Sequence, residues 1–414
     1  MSDRFSALSR KPFRRYWLAS FASIGATQLQ IMGQGWLIFE LTGSSLMLGY
    51  LGAAAAIPAI VMTFFGGAIA DQMDKRLLLA ATSAITAMLL LILFLLDFTS
   101  LVEAWHIILI AGLVSLISGV DWPARQAIFP LLIEREDMMS AVALNSLIWQ
   151  STRMVLPAAG GILIAVADTW LVFLFCSAGF LVMSIVILTL RVQSGPARSS
   201  GLVSTLRQVR EGISYILTNN VFLVLFLLSY AIMFFVSSYM QLMPAFSSLL
   251  DVGETGYGML MSISGVGSIA GTFIVSSWQH ARDLGARLLL AGALSAASIY
   301  GLALAAAETV PFPVAVAAAS VCLVAACSSC FMISSMTVLQ LRVPEELRGR
   351  VMGLHGIAFS LMPLGGLLAG YLASRTTEPL AVSLLATLFI AVVLLVTLTQ
   401  RDVRRIEGSA LSPG

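Results

Sequence analysis

Residues 77–96 read LLLAATSAITAMLLLILFLL, a run without a charge that lies between Lys75-Arg76 and Asp97. An α-helix needs about 20 apolar residues to cross the hydrocarbon core of a bilayer, so this run predicts a membrane-spanning helix. Other runs have the same character, and together they predict an all-α membrane protein with twelve spans. The expected spans are 16–39, 46–70, 77–96, 104–130, 140–167, 170–190, 221–246, 257–278, 288–307, 313–340, 351–373 and 380–399.

The composition agrees with this prediction. Of the 414 residues, 59% are hydrophobic and 11% are charged, whereas soluble domains have roughly 45–50% apolar and about 25% charged residues. A net charge of +2 without a basic stripe argues against a nucleic-acid partner. The two lysines, Lys11 and Lys75, do not lie in a phosphate-binding loop, so the chain has no ATP site of that kind.

Lysine and arginine are distributed unevenly among the connectors. All but Arg153 and Arg375 of the 23 lie in or beside the two termini and alternate connectors, while the other connectors carry acids. Cytoplasmic loops of membrane proteins are enriched in lysine and arginine. Both termini are therefore expected in the cytoplasm, and Arg153 is expected inside the fifth span.

The longest connector divides the spans six and six. The predicted organisation is an N-terminal half, a cytoplasmic linker with an amphipathic helix, a C-terminal half and a cytoplasmic tail, at residues 1–190, 191–220, 221–400 and 401–414. The halves repeat one pattern, since an acidic turn and a helix with proline and a glycine pair occur at Pro157-Ala-Ala-Gly160-Gly161 and at Pro363-Leu-Gly365-Gly366. Parallel repeats of this size are typical of alternating-access transporters, which bind substrate between the halves near mid-membrane.

The connector after the second span is more specific. Residues 67–76 read GAIADQMDKR and resemble the major facilitator loop signature G-x-x-x-D-R-x-G-R-R/K, from which they depart at Gln72 and Asp74. The matching positions are Gly67, Asp71, Lys75 and Arg76. The segments 36–44, 121–126 and 344–352 resemble the bacterial branch of this superfamily that contains the enterobactin exporter and the macrolide efflux proteins.

This resemblance implies several properties beyond the span count. It implies that the chain has the twelve-helix major facilitator fold. It further implies that the protein lies in the bacterial inner membrane and acts as a monomer. It also implies export driven by an ion gradient, usually of protons. Pro157 with Gly160-Gly161 resembles part of the antiporter motif of the fifth span, although Leu156 stands where drug antiporters usually have glycine.

Charged groups inside a membrane are costly and persist when they are paired or functional. Asp121 in the fourth span and Arg153 in the fifth are expected at similar depth, so they form a candidate proton-coupling pair. Two interpretations remain open, a proton-operated switch and a permanent ion pair, and Arg125 lies one turn from Asp121 and competes for it. His355 is the other candidate for proton coupling, with a position at headgroup level as the alternative.

Gating is assigned to the cytoplasmic loops that follow the second span and precede the eleventh span, to Arg125, and to the proline and glycine pair of the fifth span. Asp71 is expected to cap the cytoplasmic start of the eleventh span, because helix N-termini favour carboxylates. Gly67 is expected to let neighbouring helices meet closely. The gating candidates are Gly67, Asp71, Lys75, Arg76, Arg125, Pro157, Gly160, Gly161, Arg348, Gly349 and Arg350.

Substrate contacts are assigned to amide and aromatic side chains within spans. Gln30 and Gln34 share a helix face, and interhelical hydrogen bonding is the alternative to a cavity lining. The aromatic candidates have packing as their alternative. The candidates are Gln30, Gln34, Asn145, Gln150, Tyr230, Phe234, Tyr239 and Gln241.

The favoured function is export of a drug-like or siderophore-like compound, with protons and membrane lipid as the other partners. A lipid or lysolipid translocator and a membrane sensor or scaffold are the alternatives. An enzyme is not expected, since no cluster of His, Asp and Glu with catalytic spacing occurs. No metal or cofactor is expected either, because Cys327 and Cys330 lie in an apolar run without a nearby histidine and are interpreted as small packing residues.

Overall fold

A computed structural model of the chain describes residues 3–190, 202–278 and 281–408. Within these residues the structure is helical, and short 3-10 or π-helical turns join some of the α-helices. The α-helices of the described residues are Lys11–Thr42 (α1), Ser45–Gln72 (α2), Lys75–Phe98 (α3), Ala104–Ile128 (α4), Met138–Ala167 (α5), Thr169–Thr189 (α6), Leu202–Thr218 (α7), Asn220–Ala231 (α8), Met243–Leu249 (α9), Gly253–Ser276 (α10), Leu284–Ala306 (α11), Pro313–Arg342 (α12), Glu345–Gly356 (α13), Ala358–Arg375 (α14), Glu378–Thr399 (α15) and Arg401–Arg404 (α16).

Eleven helical segments among the described residues are long and apolar enough to cross a membrane. They correspond to the second to twelfth predicted spans. The first predicted span, 16–39, lies in the 32-residue helix α1, whose hydropathy is lowered by Gln28, Gln30 and Gln34. Its crossing, the total of twelve spans and the cytoplasmic position of the termini stay predictions.

The chain forms two compact units. The first unit consists of Met1–Thr42, Ile57–Thr205 and Glu254–Met259, and the second of Gly43–Ala56, Leu206–Gly253 and Leu260–Gly414. The first part of α2 therefore belongs to the second unit, and the start of α10 belongs to the first. The predicted linker contains α7, while residues 191–201 lie outside the described residues.

The first unit is built around α1, α3, α4, α5 and α6. Helices in lipid associate through close packing of small residues rather than through the hydrophobic effect, and α6 shows this directly. A Cβ on Gly179 of α6 would lie 2.7 Å from the carbonyl oxygen of Ala22 in α1. At the ends of the unit, Asp74 caps α3 by accepting a hydrogen bond from the backbone N–H of Leu77 at 3.0 Å.

The second unit packs α11 against α12 and α15. A Cβ on Gly267 of α10 would lie 2.2 Å from the carbonyl oxygen of Cys322 in α12, and one on Gly271 would lie 2.3 Å from that of Ala326. The thiol of Cys330 is buried and donates to the carbonyl of Gly271 at 3.4 Å. This contact fits the interpretation of Cys330 as a small packing residue, and the same interpretation of Cys327 stays a prediction.

The seventh predicted span is interrupted. Between α8 and α9 the backbone forms a π-helical turn at Ile232–Val236 and a 3-10 turn at Ser237–Leu242. The turn lies against α14, where a Cβ on Gly365 would lie only 1.9 Å from the carbonyl oxygen of Phe234. Glycine thus lets the widened turn approach another backbone, and such turns are frequent at functional sites.

Candidate functional site

The first unit contains a buried ion pair that joins three helices. Arg125 of α4 is 8% exposed, and its Nε donates to a carboxylate oxygen of Asp121. Its Nη1 donates to the hydroxyl of Ser23 in α1 at 3.0 Å. The other oxygen of Asp121 accepts a hydrogen bond from the hydroxyl of Thr82 in α3 at 2.7 Å. The pair is thus compensated by hydrogen bonds on both sides, as buried charges require.

The partner of Asp121 is therefore Arg125, the competitor identified from the sequence. The two residues are separated by one helical turn, which places side chains of one helix next to each other. Arg153 is partly exposed on α5, and its role in proton coupling stays a prediction. Ser23 and Thr82 were not predicted, because a small hydroxyl residue in an apolar run carries no sequence signal of its own.

A narrow cleft, here called the Arg125 cleft, opens beside the guanidinium. Its enclosed space is about 10 Å³, enough for one water-sized group. The rings of Trp122 and Trp149 meet edge to face with centroids 5.5 Å apart. The lining residues are Tyr16, Ser20, Ile24, Trp122, Arg125, Gln126, Phe129, Asn145 and Trp149. Asn145 was predicted for substrate contact and Arg125 for gating; the aromatic lining was not predicted.

The other amides predicted in the first unit have different surroundings. Gln30 and Gln34 are 6% and 3% exposed, and the side-chain amide of Gln30 donates to that of Gln34 at 3.3 Å within α1. The pair is thus buried rather than open to a cavity, and its bond runs along one helix instead of between two helices. Gln150 is half-buried on α5, and its role stays a prediction.

The predicted contacts in the second unit hold helices together. The hydroxyl of Tyr230 donates to the backbone carbonyl of Leu354 at 2.8 Å. The side-chain amide of Gln241 donates to the backbone carbonyl of Leu48 at 2.9 Å. Tyr239 is 2% exposed, and its expected contact with substrate stays a prediction.

Phe234 lies in the π-helical turn. It packs edge to face on Phe235 with ring centroids 5.1 Å apart. This contact agrees with the packing alternative for the aromatic side chains, and the expected contact of Phe234 with substrate stays a prediction.

His355 forms the second buried polar cluster. It is 2% exposed, its Nε2 lies 3.2 Å from the hydroxyl of Ser229, and that hydroxyl lies 3.0 Å from the hydroxyl of Ser335. The edge of the imidazole meets the ring of Phe226 with centroids 5.6 Å apart. Burial by protein does not fix the depth of His355 in the membrane, so its proton-coupling role and the alternative of a headgroup-level position both stay predictions.

The predicted gating loops show a mixed outcome. Among the described atoms, a Cβ on Gly67 would meet none within 4 Å, so the close approach expected there is not found among them, whereas one on Gly66 would lie 2.0 Å from the carbonyl oxygen of Gly119. Arg76 donates to the carbonyl of Leu188 near the end of α6. The side chain of Asp71 lies outside the described residues, so its capping role stays a prediction, as does the gating role of Lys75.

The loop before the eleventh span is held by ion pairs within the second unit. Arg350 binds Glu211 of α7 with an N–O distance of 2.6 Å, and Arg348 lies 3.8 Å from Glu345. A Cβ on Gly349 would meet no atom of the described part of the chain within 4 Å. The amphipathic helix α7 is thus attached to α13 through Arg350.

The repeated Pro-Gly-Gly pattern makes similar contacts in the two units. In the first unit, a Cβ on Gly161 would lie 2.6 Å from the carbonyl oxygen of Glu254, and one on Gly258 would lie 2.3 Å from that of Pro157. In the second unit, a Cβ on Gly52 would lie 2.8 Å from the carbonyl oxygen of Pro363. Both prolines therefore lie where two helix backbones touch.

The second unit repeats the glycine contacts as well. A Cβ on Gly366 would lie 2.6 Å from Cβ of Gln241, just as a Cβ on Gly160 would lie 2.8 Å from the sulfur of Met32 in the first unit. The sequence repeat thus corresponds to a repeat of close packing.

The opposite end of the first unit carries a wider, acidic cleft of about 540 Å³. Trp36 lies in its wall and stacks on Tyr257 with ring centroids 5.9 Å apart. The acidic members of the lining are Glu40, Asp168 and Glu254. These acids are among those that the sequence assigns to the outer connectors.

Comparison with known proteins agrees with the major facilitator resemblance. The family described as transmembrane secretion effector matches residues 2–413. The chain is 25% identical over 267 residues to the staphyloferrin A transporter of Staphylococcus aureus, covering 63% of this chain and 66% of that protein. It is 22% identical to macrolide efflux protein A of Streptococcus pyogenes, covering 88% and 89%, and 24% identical to the multidrug efflux pump Tap of Mycolicibacterium fortuitum, covering 88% and 90%.

Solved structures show the same fold at low identity. A nucleoside transporter matches with a TM-score of 0.76 at 14% identity, covering 94% of this chain and 100% of that chain. A bacterial homologue of the iron transporter ferroportin, in an inward-facing state, matches with a TM-score of 0.74 at 14% identity, covering 96% and 99%.

Proposed function

Because the chain belongs to the transmembrane secretion effector family of major facilitator transporters, we propose that it is a proton-coupled exporter. It moves a small amphiphilic organic compound, drug-like or siderophore-like, across the bacterial inner membrane by alternating access. The named relatives transport a siderophore, macrolides and multiple drugs, which supports export of this class of compound.

The observation that carries the proposal is the buried pair of Asp121 and Arg125. Asp121 and Arg125 form an ion pair within α4. Hydrogen bonds with Ser23 and Thr82 connect this pair to α1 and α3. Protonation of Asp121 removes its charge and releases the guanidinium, and loss of the proton re-forms the pair. If the proton is taken up on one side of the membrane and released on the other, the cycle couples proton entry to export.

The gating loops then respond to this switch. In the proposal, residues 67–76 and 348–350 close the cytoplasmic end of the transport path, and Arg153 tunes the proton step. The backbone contacts at Pro157 and Pro363 fit this role, because helices that touch through glycine can separate without stranding polar side chains.

The test is transport by the full-length protein in vesicles with an imposed pH gradient. Radiolabelled erythromycin, a macrolide, and staphyloferrin A serve as substrates, and a lysophospholipid tests the lipid alternative. Asp121→Asn mimics the protonated state and is expected to lower gradient-driven accumulation at least about tenfold, since it removes the group that carries the proton. Exchange of labelled for unlabelled substrate without a gradient should persist.

The matched control is Asp283→Asn. Asp283 also pairs with an arginine four residues away, Arg287, at 2.9 Å, but this pair is exposed. The control should accumulate substrate like the parent protein. Full gradient-driven accumulation by Asp121→Asn would contradict the proposal, and accumulation of the lysophospholipid alone would replace it with the lipid alternative.

A further inference from the structure

We infer that the Arg125 cleft binds the head of the substrate and selects compounds that carry a carboxylate or similar anionic oxygen on a flat apolar body. This inference rests on the proposed function, because it names the chemical class of the compound that is exported. It concerns one subsite within the first unit.

The charge that the cleft presents is positive. Arg125 lines the cleft, whereas its partner Asp121 does not belong to the lining. The hydrogen bonds of the guanidinium use Nε and Nη1, and Nη2 donates to no partner among the described residues. This amino group can therefore donate to a substrate oxygen, and hydrogen bonds between arginine and carboxylate are among the strongest in proteins.

A second donor in the cleft also lacks a partner. Ser20 is 2% exposed, and its hydroxyl makes no hydrogen bond of normal geometry in the described structure. The hydroxyls of Tyr16 and Ser20 interact only at the limit of hydrogen-bond geometry, and this contact does not satisfy the hydroxyl of Ser20. An unsatisfied buried hydroxyl is costly, and an anionic oxygen bound beside Arg125 would accept its hydrogen bond.

The dimensions of the cleft separate the head of a substrate from its body. The enclosed space accepts one water-sized group, which matches one oxygen of a carboxylate. Outside this space, Trp122 is 47% exposed and meets Trp149 edge to face, so a flat ring has an aromatic surface to pack against. A cationic amine would instead approach the guanidinium, and like charges repel strongly in a site of low dielectric constant.

The test is equilibrium binding to the full-length protein in lipid nanodiscs, with binding to empty nanodiscs subtracted. Three probes share one ring and differ in charge: naphthalene-2-carboxylate, naphthalene-2-carboxamide and 2-naphthylmethylammonium. The carboxylate is expected to bind at least about tenfold more tightly than the carboxamide, because hydrogen bonds to charged groups contribute about 1.5–3 kcal/mol. The ammonium compound is expected to bind most weakly.

Two variants attribute this preference to the cleft. Asp121→Asn with Arg125→Gln removes both charges and strands neither, and it should reduce the preference for the carboxylate to within about twofold. The matched control, Asp283→Asn with Arg287→Gln, changes the same residue types in the exposed pair and should keep the preference. Gln126→Glu places a negative charge in the lining of the cleft and should reduce the preference for the carboxylate over the ammonium compound.

The binding order decides the inference without a proton gradient. Tightest binding by the ammonium compound, a preference that survives loss of the Asp121 and Arg125 charges, or no carboxylate binding above empty nanodiscs would each overturn it. If the preference holds but a pH gradient drives no transport, proton coupling fails and the assignment of the cleft stands.

Discussion

The two buried polar clusters differ in charge, and the difference assigns them different tasks. In the first unit, Asp121 and Arg125 carry formal charges that are held by hydroxyl groups from two other helices. In the second unit, His355 is enclosed by Ser229, Ser335 and the ring of Phe226, with no acid or base among these contacts. A charged cluster can exchange a proton and recognise an ion, whereas a neutral cluster satisfies its own hydrogen bonds and holds helices together.

The energetic scale of the two clusters differs as well. Removing one partner of a buried ion pair costs about 3–5 kcal/mol, because the other charge is left without compensation. A neutral hydrogen bond contributes about 0.5–1.5 kcal/mol net. If the clusters have the proposed tasks, substitutions in the first unit should affect both folding and transport more than those in the second.

The largest expected effect on stability is that of Asp121 left without its partner. Arg125→Ala should lower the free energy of unfolding by about 3–5 kcal/mol, measured by unfolding of the purified protein in mixed micelles. Asp121→Asn with Arg125→Ala should cost less than Arg125→Ala alone, because the double change removes the stranded carboxylate. Equal losses in the single and double variants would mean that Asp121 is compensated by another group.

The second prediction concerns His355. His355→Gln keeps a polar side chain beside Ser229 and should destabilise the protein by about 1–2 kcal/mol, the range for a disturbed buried hydrogen bond. Gradient-driven accumulation should stay within about threefold of the parent protein, since the proton-carrying group of the first unit is intact. Ser335→Ala, which removes one hydroxyl of the same cluster, is the matched control.

Loss of gradient-driven accumulation in His355→Gln but not in Ser335→Ala would break the comparison. Proton coupling would then involve titration of the imidazole, and the neutral cluster would be part of the coupling path.

The sequence predicts the fold well where a single physical signal dominates. Apolar runs of about 20 residues have few alternatives to a membrane helix, and eleven of the predicted spans correspond to suitable helices. The repeated proline and glycine pairs also point to close backbone contacts, because glycine permits approaches that no side chain allows. The contacts of Gly161 and Gly258 show this directly.

Details of the site depend on rotation about the helix axis, which composition does not determine. Counting residues places both Arg153 and Arg125 within about one helical turn of Asp121. Arg125 forms the ion pair, because it lies on the same helix as Asp121, four residues further along α4. The same limit applies to Gly67, since the helix turns its neighbour Gly66 towards α4. The interruption of the seventh span was not predicted either, and it lies where the backbone of Phe234 meets Gly365 of α14.

The smallest expected effect is that of the exposed pair of Arg10 and Glu134 near the beginning of the chain, beside which Asp137 is buried. Arg10 binds Glu134 at 2.6 Å and Asp137 at 3.2 Å, and the hydrogen bond to Asp137, followed by the charge of Glu134, raises the pKa of Arg10 above its ordinary value. A base whose pKa is raised by folding contributes stability below its ordinary pKa and loses it only as pH rises through the folded value. The ordinary pKa of arginine already lies far above neutral pH.

This exposed pair should therefore not respond to pH between about 6 and 9, whereas salt should weaken it, because ions screen exposed charges. Arg10→Gln should leave global unfolding unchanged and increase hydrogen exchange only near the start of α1. The exposed residue Arg14 provides the control, Arg14→Gln, which should not change this exchange. A loss of global stability in Arg10→Gln as large as that in Arg125→Ala would mean that burial does not set the scale of the charged contacts in the first unit.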